Sequence, residues 1–425
     1  MSKTPSPSVA SLPQPVSLSS HEPGGTTAQI LPAVFFTFIG YLSIGIPLAI
    51  LPPYVHLQLG YGTVLAGLVI SAQYVATVLS RPRAGRMVDS RGPKRVVVFG
   101  LLACAGSGAW TFAAAFFAPH PHAALALLLI GRLTLGVGES MVATGAMLWG
   151  IGRAGSHHIA KVISWNGIAT FSALSVGAPL GVFLHQQWGF ASAGLLVLTL
   201  ALAAVALALR LPAIPVSPSP RHLPFARIFW SVAPHGTALA FGSMGFGVLA
   251  TFVTLYFASL HWTGAAFTLS IYGISFVLTR LLFAGLIPRL GGFPVAIVSL
   301  FIEIFGLLLL SLARVPSVAF AAAGLIGFGF SLVFPSLAVE AVRRIPQENR
   351  GTALGTYNLF IDLSLFLAGP LAGVIISHAG YRAAFLSCAA GVFFAFCLTI
   401  FLATRSRAGH PTKDVHPESA EGLSS

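Results

Sequence analysis

Twelve apolar runs of about 20 residues each, bounded by Gly, Pro or charged positions, fill the chain between residues 29 and 404. They lie near 29 to 52, 62 to 81, 96 to 118, 122 to 146, 161 to 183 and 190 to 210, then near 233 to 257, 265 to 286, 294 to 313, 317 to 341, 352 to 376 and 382 to 404. A helix of about 20 residues crosses the hydrocarbon core of a bilayer at about 1.5 Å per residue. In lipid every backbone polar group must find its partner inside the protein, so such runs are expected to be helices. The expected fold class is therefore an all-α membrane protein with twelve transmembrane helices. Only 8% of the residues are charged, against about 25% in ordinary soluble chains, which speaks against a water-soluble enzyme. Cys104, Cys388 and Cys397 fall inside apolar runs without pairing or ligand spacing and read as small buried hydrophobes.

Charge gives the runs a sidedness. With the N-terminus in the cytoplasm, 20 of the 23 Lys and Arg residues fall on inner segments, six of them between 81 and 95. Arg314 and Arg382 lie outside, and Arg132 lies within a run. This asymmetry predicts both termini on the cytoplasmic side. It also accounts for the net charge of +13 without nucleic acid as a partner. Residues 1–28, rich in Ser, Pro and Thr, read as a disordered cytoplasmic tail, and 405–425 as a second tail. The segment 211–230, with Pro212, Pro215, Pro218, Pro220 and Pro224, reads as a cytoplasmic linker between a six-helix bundle at 29–210 and another at 231–404.

The two bundles repeat each other, which predicts pseudo-symmetry. Gly136-Val-Gly-Glu-Ser-Met-Val142 returns as Gly327-Phe-Gly-Phe-Ser-Leu-Val333, and Leu79-Ser-Arg81 as Leu278-Thr-Arg280. Trp165-Asn166 matches Tyr357-Asn358, and Gly177-Ala-Pro-Leu-Gly181 resembles Gly369-Pro-Leu-Ala-Gly373. Parallel six-helix repeats joined by a linker are a transporter plan that places a binding site between the halves.

On these motifs the chain, over about residues 31 to 404, resembles the major facilitator superfamily. The segment Gly85-Arg-Met-Val-Asp89-Ser-Arg91-Gly92-Pro-Lys94-Arg95 resembles that superfamily's loop between its second and third spans, and Arg132-Leu-Thr-Leu-Gly136-Val-Gly138 resembles its fourth-span motif. Gly177-Ala-Pro179-Leu-Gly181 partly matches the Gly-Pro motif of proton-driven exporters, with an Ala between Gly and Pro. Tyr41-Leu-Ser-Ile-Gly-Ile-Pro-Leu-Ala-Ile-Leu-Pro52 and Val162-Ile-Ser-Trp-Asn-Gly167 look like the bacterial YhhS-like branch.

The resemblance implies a secondary transporter in a bacterial cytoplasmic membrane, working as a monomer by alternating access on a small organic solute, surrounded by lipid and coupled to protons. It implies no cofactor, and export is slightly favoured by the partial Gly-Pro motif. Rival readings are an uncoupled facilitator, an importer, a membrane enzyme or a non-transporting sensor. Gly85, Asp89, Arg91, Gly92, Lys94 and Arg95 form the expected gating loop, a cytoplasmic latch. In the second half only Gly285 and Gly292 echo it, with Arg289 opposite Asp89, so the latch is expected to be asymmetric.

Four ionisable residues lie well inside runs, away from their ends, Arg132, Glu139, Glu303 and Asp362, and an intramembrane charge costs about 2.5–3.5 kcal/mol even on the lenient insertion scale. One Arg cannot neutralise three carboxylates, so at least one carboxylate is expected to hold a proton part of the time. Arg132, Glu139 and Asp362 are the candidates for proton coupling, with Arg132 expected to hold a carboxylate or an anionic group of the solute. Glu303, in a span that resembles a peripheral one, is expected to be structural. Tyr41, Gln73, Tyr74, Asn166, His235, Tyr256, Tyr272 and Asn358 are candidate cavity residues, able to stack on or hydrogen-bond an organic solute, although Asn166 and Asn358 more readily read as interhelical ties. The scattered His120, His122, His185, His261 and His378 carry no metal spacing.

Overall fold

The structure, a computed structural model, describes residues 23–155, 158–214, 224–283, 285–343, 345–346 and 349–408. Residues 1–22 and 409–425 of the expected tails and 215–223 of the expected linker lie outside these residues, whereas 23–28 and 405–408, read from sequence as tail, are helical. Helices in chain order are α1 (Pro23–Leu48), α2 (Thr63–Arg91), α3 (Pro93–Phe116), α4 (Pro121–Ala154), α5 (Ile159–Trp188), α6 (Phe190–Arg210), α7 (Phe225–Ser259), α8 (Ala265–Phe283), α9 (Gly292–Ser311) and α10 (Pro316–Val342). The continuous assignment Arg350–Ala408 is broken at Gly380, whose φ of 79° lies outside the helical region. Its apolar part runs for 55 residues, about 80 Å of helix, far more than one bilayer core. It is two spans, 350–379 (α11) and 381–408 (α12). Among the described residues eleven helical stretches are long and apolar enough to cross a membrane, and dividing the last gives the expected twelve.

Boundaries shift where the sequence offered a false stop. The second run seemed to end at Ser80-Arg81-Pro82, yet α2 continues through Pro82 to Arg91. Neighbouring helices tolerate an internal Pro because the freed backbone groups find other partners. Only Gly92, at φ 83°, makes the turn into α3, so most of the expected gating loop is helix. The second bundle begins at Phe225, inside the segment read as linker, and α12 runs to Ala408.

The pseudo-repeat is visible in backbone conformation. Gly92 and Gly291 both take positive φ, 83° and 88°, before α3 and α9, where a side chain would be strained. Their spacing equals that of Arg81 and Arg280, so the register between α2 and α8 is one residue tighter than the Gly92–Gly292 echo implied. Asp89 therefore falls opposite Pro288 and Arg289 opposite Ser90, and the second half still offers no carboxylate at the latch position.

Small residues set the helix contacts, as expected where lipid and core are equally apolar. Gly136 lies on the Gln73 carbonyl of α2, while Gly138, on the other side of α4, would place a Cβ 2.9 Å from Cys104 Sγ of α3. In the second half Gly327 lies on the Tyr272 carbonyl of α8, and a Cβ on Gly329 would stand 2.7 Å from the Glu303 backbone of α9. The repeated Gly-x-Gly motif thus wedges α4 between α2 and α3, and α10 between α8 and α9.

Candidate functional site

The bundles meet along two seams, α2 on α11 and α5 on α8. On the first seam Thr63 Oγ1 donates to the Gly373 carbonyl at 3.1 Å and Ser71 Oγ to the Leu365 carbonyl at 3.2 Å. Between them a Cβ on Gly67 would stand 2.5 Å from the Gly369 carbonyl oxygen. On the second seam Ser270 Oγ donates to the Ser175 carbonyl at 2.7 Å. Ser71 and Ser270 are repeat equivalents, so the two seams are built alike.

Arg81 closes the first seam. Its Nε donates to Asp362 Oδ2 at 2.7 Å, and Nη2 lies 2.6 Å from the same oxygen. The Arg81 side chain is 13% exposed and that of Asp362 5%, so this charge-assisted pair is shielded from water, where it is stronger than a surface pair and costlier to break. Among the described residues it is the one ion pair that links the bundles. Sequence reasoning placed Arg81 among loop charges because Pro82 imitates a helix end. The Leu-Ser-Arg/Leu-Thr-Arg repeat was the signal that could have found it.

Glu139 sits beside this pair, within electrostatic reach of Asp362, Arg81 and Arg132 but bound only by neutral groups. Gln73 Nε2 donates to Glu139 Oε2 at 3.2 Å. Thr77 Oγ1 also lies 3.2 Å from Oε2, and 3.1 Å from both the Gln73 and Gly136 carbonyls. A hydroxyl has one proton to donate and two lone pairs. Thr77 can therefore donate to the carboxylate, or turn to a backbone carbonyl and accept from the carboxylic acid. The site accommodates Glu139 in either protonation state. Tyr41, half-buried on α1, and Tyr74, buried on α2, lie in electrostatic reach of the same carboxylates. The expected residues Tyr41, Gln73, Tyr74, Arg132, Glu139 and Asp362 are thus gathered into one group, with Arg81 added.

Arg132 departs from expectation. It is buried, Nη2 donates to the Ile70 carbonyl at 3.3 Å, and Nε and Nη1 have no partner among the described residues. It makes no ion pair with a carboxylate; Asp362 goes to Arg81, and Glu139 to Gln73 and Thr77. The counting argument changes too. Arg280 is also buried, so two buried arginines, Arg132 and Arg280, and the half-buried Arg81 stand against the buried carboxylates Glu139, Glu303 and Asp362. Position rather than number leaves Glu139 and Glu303 without an ion pair among the described residues.

The other candidates are dispersed. Asn166 is bonded to Thr37 of α1 and donates through Nδ2 to its own helix at Val162, so it ties α5 to α1. Tyr256 donates to the Ala313 carbonyl at 3.1 Å within an aromatic group containing Trp262, Tyr381 and Phe385. The His235 ring lies 5.9 Å from that of Phe293. Asn358 is half-buried on α11, one turn before Asp362. Glu303 is fully buried in the second bundle, and neither carboxylate oxygen has a partner among the described residues. No group of three or more His, Cys, Asp or Glu suited to a metal occurs among the described residues.

The latch residues are disengaged. Asp89, Arg91 and Arg95 are exposed, and Asp89 makes no ion pair among the described residues. Lys94 instead donates through Nζ to the Leu209 and Leu211 carbonyls at 2.8 and 2.6 Å. It caps the end of α6, where unpaired carbonyls and the helix dipole favour a cation.

Comparison with known proteins agrees with this architecture. The family described as "Major Facilitator Superfamily" matches residues 33–369 and 236–425. A protein of Burkholderia mallei strain SAVP1, described as an uncharacterized MFS-type transporter, is 51% identical over 365 residues, covering 86% of this chain and 89% of its own. One with the same description from Pseudomonas aeruginosa strain UCBPP-PA14 is 51% identical over 382 residues, 90% of this chain and 94% of its own. Among solved structures, the human organic anion transporter MFSD10 (TETRAN) superposes with a TM-score of 0.67 at 17% identity, over 89% of this chain and 100% of that one.

Proposed function

Because this chain belongs to the major facilitator superfamily and is thus a membrane transporter of some solute, we propose that it carries a small organic solute by alternating access, with proton movement coupled through Glu139 and Asp362. The observation that carries this reading is the bundle-spanning Arg81–Asp362 pair beside a buried carboxylate that only neutral donors hold. An excess proton on Asp362 removes its negative charge and releases Arg81, which loosens the α2–α11 seam. Glu139, within electrostatic reach of Asp362, responds to that change of charge. Protonation at the centre thereby becomes a change in how the bundles contact each other.

The conformation is read as facing the cytoplasm. The seams are closed where Thr63 meets Gly373, at the end that the positive-inside asymmetry assigns to the outside, and Asp89 at the other end makes no ion pair among the described residues. When the cytoplasmic side closes, Asp89 takes part in the latch. Export remains the favoured direction on the partial Gly-Pro motif alone. In the structure that motif serves packing: a Cβ on Gly177 would stand 2.8 Å from the Gly45 carbonyl carbon of α1.

Proteoliposomes loaded with a pH-sensitive dye test the coupling. A screen over sugars, amino acids, organic acids and amphipathic drugs identifies the solute by counterflow. With that solute, wild type moves protons and accumulates solute against its gradient. Glu139→Gln, a permanently neutral mimic, keeps exchange but loses gradient-driven accumulation. Accumulation undiminished in Glu139→Gln removes Glu139 from the proton path, and solute flux without any proton flux in wild type makes the protein a facilitator.

A further inference from the structure

The pseudo-repeat places a second arginine where its partner is missing. Arg280 on α8 is the equivalent of Arg81 on α2, and α5 packs on α8 as α11 packs on α2. In the α5/α11 register set by Asn166 and Asn358, the residue opposite Asp362 is Thr170. Where Arg81 finds a carboxylate, Arg280 finds none among the described residues.

Its surroundings do not neutralise it. Arg280 is 5% exposed, Nη2 donates to the Ser331 carbonyl at 2.8 Å, and Nε has no partner among the described residues. The guanidinium lies over the Phe276 ring, 4.9 Å from its centroid, and presses across the seam on Gly167 of α5. A buried guanidinium held by one carbonyl and one ring keeps unused donors and an uncompensated charge.

The neighbouring positions have changed in step. In the first half the polar group is Gln73, Thr77 and Glu139; at the equivalent places the second half has Tyr272, Phe276 and Phe330. Phe171 of α5 reaches across the seam into this group and stacks on Phe276 with centroids 3.6 Å apart. One half of the molecule thus carries a polar group around a buried carboxylate, and the other an aromatic group beside a cation that has no ion pair among the described residues.

We propose that Arg280 and the aromatic group of Phe171, Tyr272, Phe276 and Phe330 bind an organic anion, whose carboxylate takes against Arg280 the place that Asp362 takes against Arg81. The apolar body of the solute lies among the rings, and Phe171 withdraws with α5 to admit it. This deepens the transport reading and rests on it: the site lies on a bundle seam that alternating access must open.

The test uses 2-naphthoate and its neutral partner 2-naphthamide, with affinity read by equilibrium binding to the full-length protein and exchange read by counterflow. Wild type is expected to bind the acid about tenfold or more tightly than the amide, the worth of one charge-assisted hydrogen bond. Arg280→Gln should bring that ratio to about one while amide binding persists, and Arg280→Lys should keep part of it, as a charge without the planar fork. Thr170→Asp supplies the missing carboxylate, keeps the arginine, and should also abolish the preference; it decides the matter if Arg280→Gln does not fold. A ratio near one in wild type, or a preference that survives Thr170→Asp, overturns the site. Exchange of some other solute without any acid preference overturns the anion site and leaves the transporter standing. Arg280-dependent binding of the acid, with no exchange of it, supports the site and overturns its part in transport.

Discussion

Arg81 and Asp362, 281 residues apart in the chain, lie 2.6 Å from each other across the junction of the two bundles. The pair belongs to neither bundle alone, so its strength depends on the conformation of the carrier. Breaking it from one side leaves a buried charge without compensation, a cost of about 3–5 kcal/mol in comparable settings. Asp362→Asn and Arg81→Gln are each expected to cut transport at least tenfold and to destabilise the seam-closed form. The exchange Arg81→Asp with Asp362→Arg should restore stability, measured as thermal midpoint, better than either single change. If the double variant is as unstable as the sum of the singles, the two side chains are not energetically coupled.

Asp89 is exposed and makes no ion pair among the described residues. Asp89→Asn should therefore leave the thermal midpoint within the range of ordinary surface changes, about 0.5 kcal/mol. Turnover in proteoliposomes should nevertheless fall, because the latch contributes only when the cytoplasmic side is shut. Normal turnover in this variant, with normal membrane insertion, would discard the latch.

Gly67 admits the Gly369 carbonyl to within van der Waals reach, and a larger side chain cannot fit without parting α2 from α11. Gly67→Leu is expected to hold the Thr63–Gly373 end open. In a background lacking Cys104, Cys388 and Cys397, a cysteine at Ser71, buried here against α11, should react with an impermeant maleimide in Gly67→Leu much faster than in its parent. Equal labelling rates would mean that the seam adapts instead of opening.

Glu303 holds two unpartnered carboxylate oxygens inside the second bundle, close against Gly245 and Gly329. An unsatisfied buried polar group costs about 1–3 kcal/mol, so Glu303→Met, of similar length and without polar oxygens, should raise the thermal midpoint and leave transport intact. Loss of gradient-driven accumulation in Glu303→Met would move this residue into the proton path.

Much of the molecule was legible from residue order. Apolar run length predicted the spans, and the Gly-x-Gly repeat predicted two like bundles, because each signal reports a requirement that a short segment meets by itself. Glu139, Gln73, Tyr41 and Tyr74 could be selected since a polar residue inside an apolar run already stands out. The errors came where local cues misled: Arg81-Pro82 imitated a helix end, and Arg280 looked like an inner-face insertion charge. Asn166 and Tyr256, plausible cavity residues by type, are consumed by Thr37 and the Ala313 carbonyl.

The sequence by itself determined a twelve-helix membrane chain, its duplicated halves and the charge asymmetry from which an orientation is expected, since hydrophobicity and insertion act on each span as it is made. Tertiary structure alone decided that Asp362 pairs with Arg81 and not with Arg132, that Lys94 caps α6, and that Arg280 is left facing Thr170's side of the seam without a carboxylate. Such pairings depend on which helices of opposite bundles lie against each other and at what depth. No spacing within a span encodes that, because the two partners meet only once both bundles have packed.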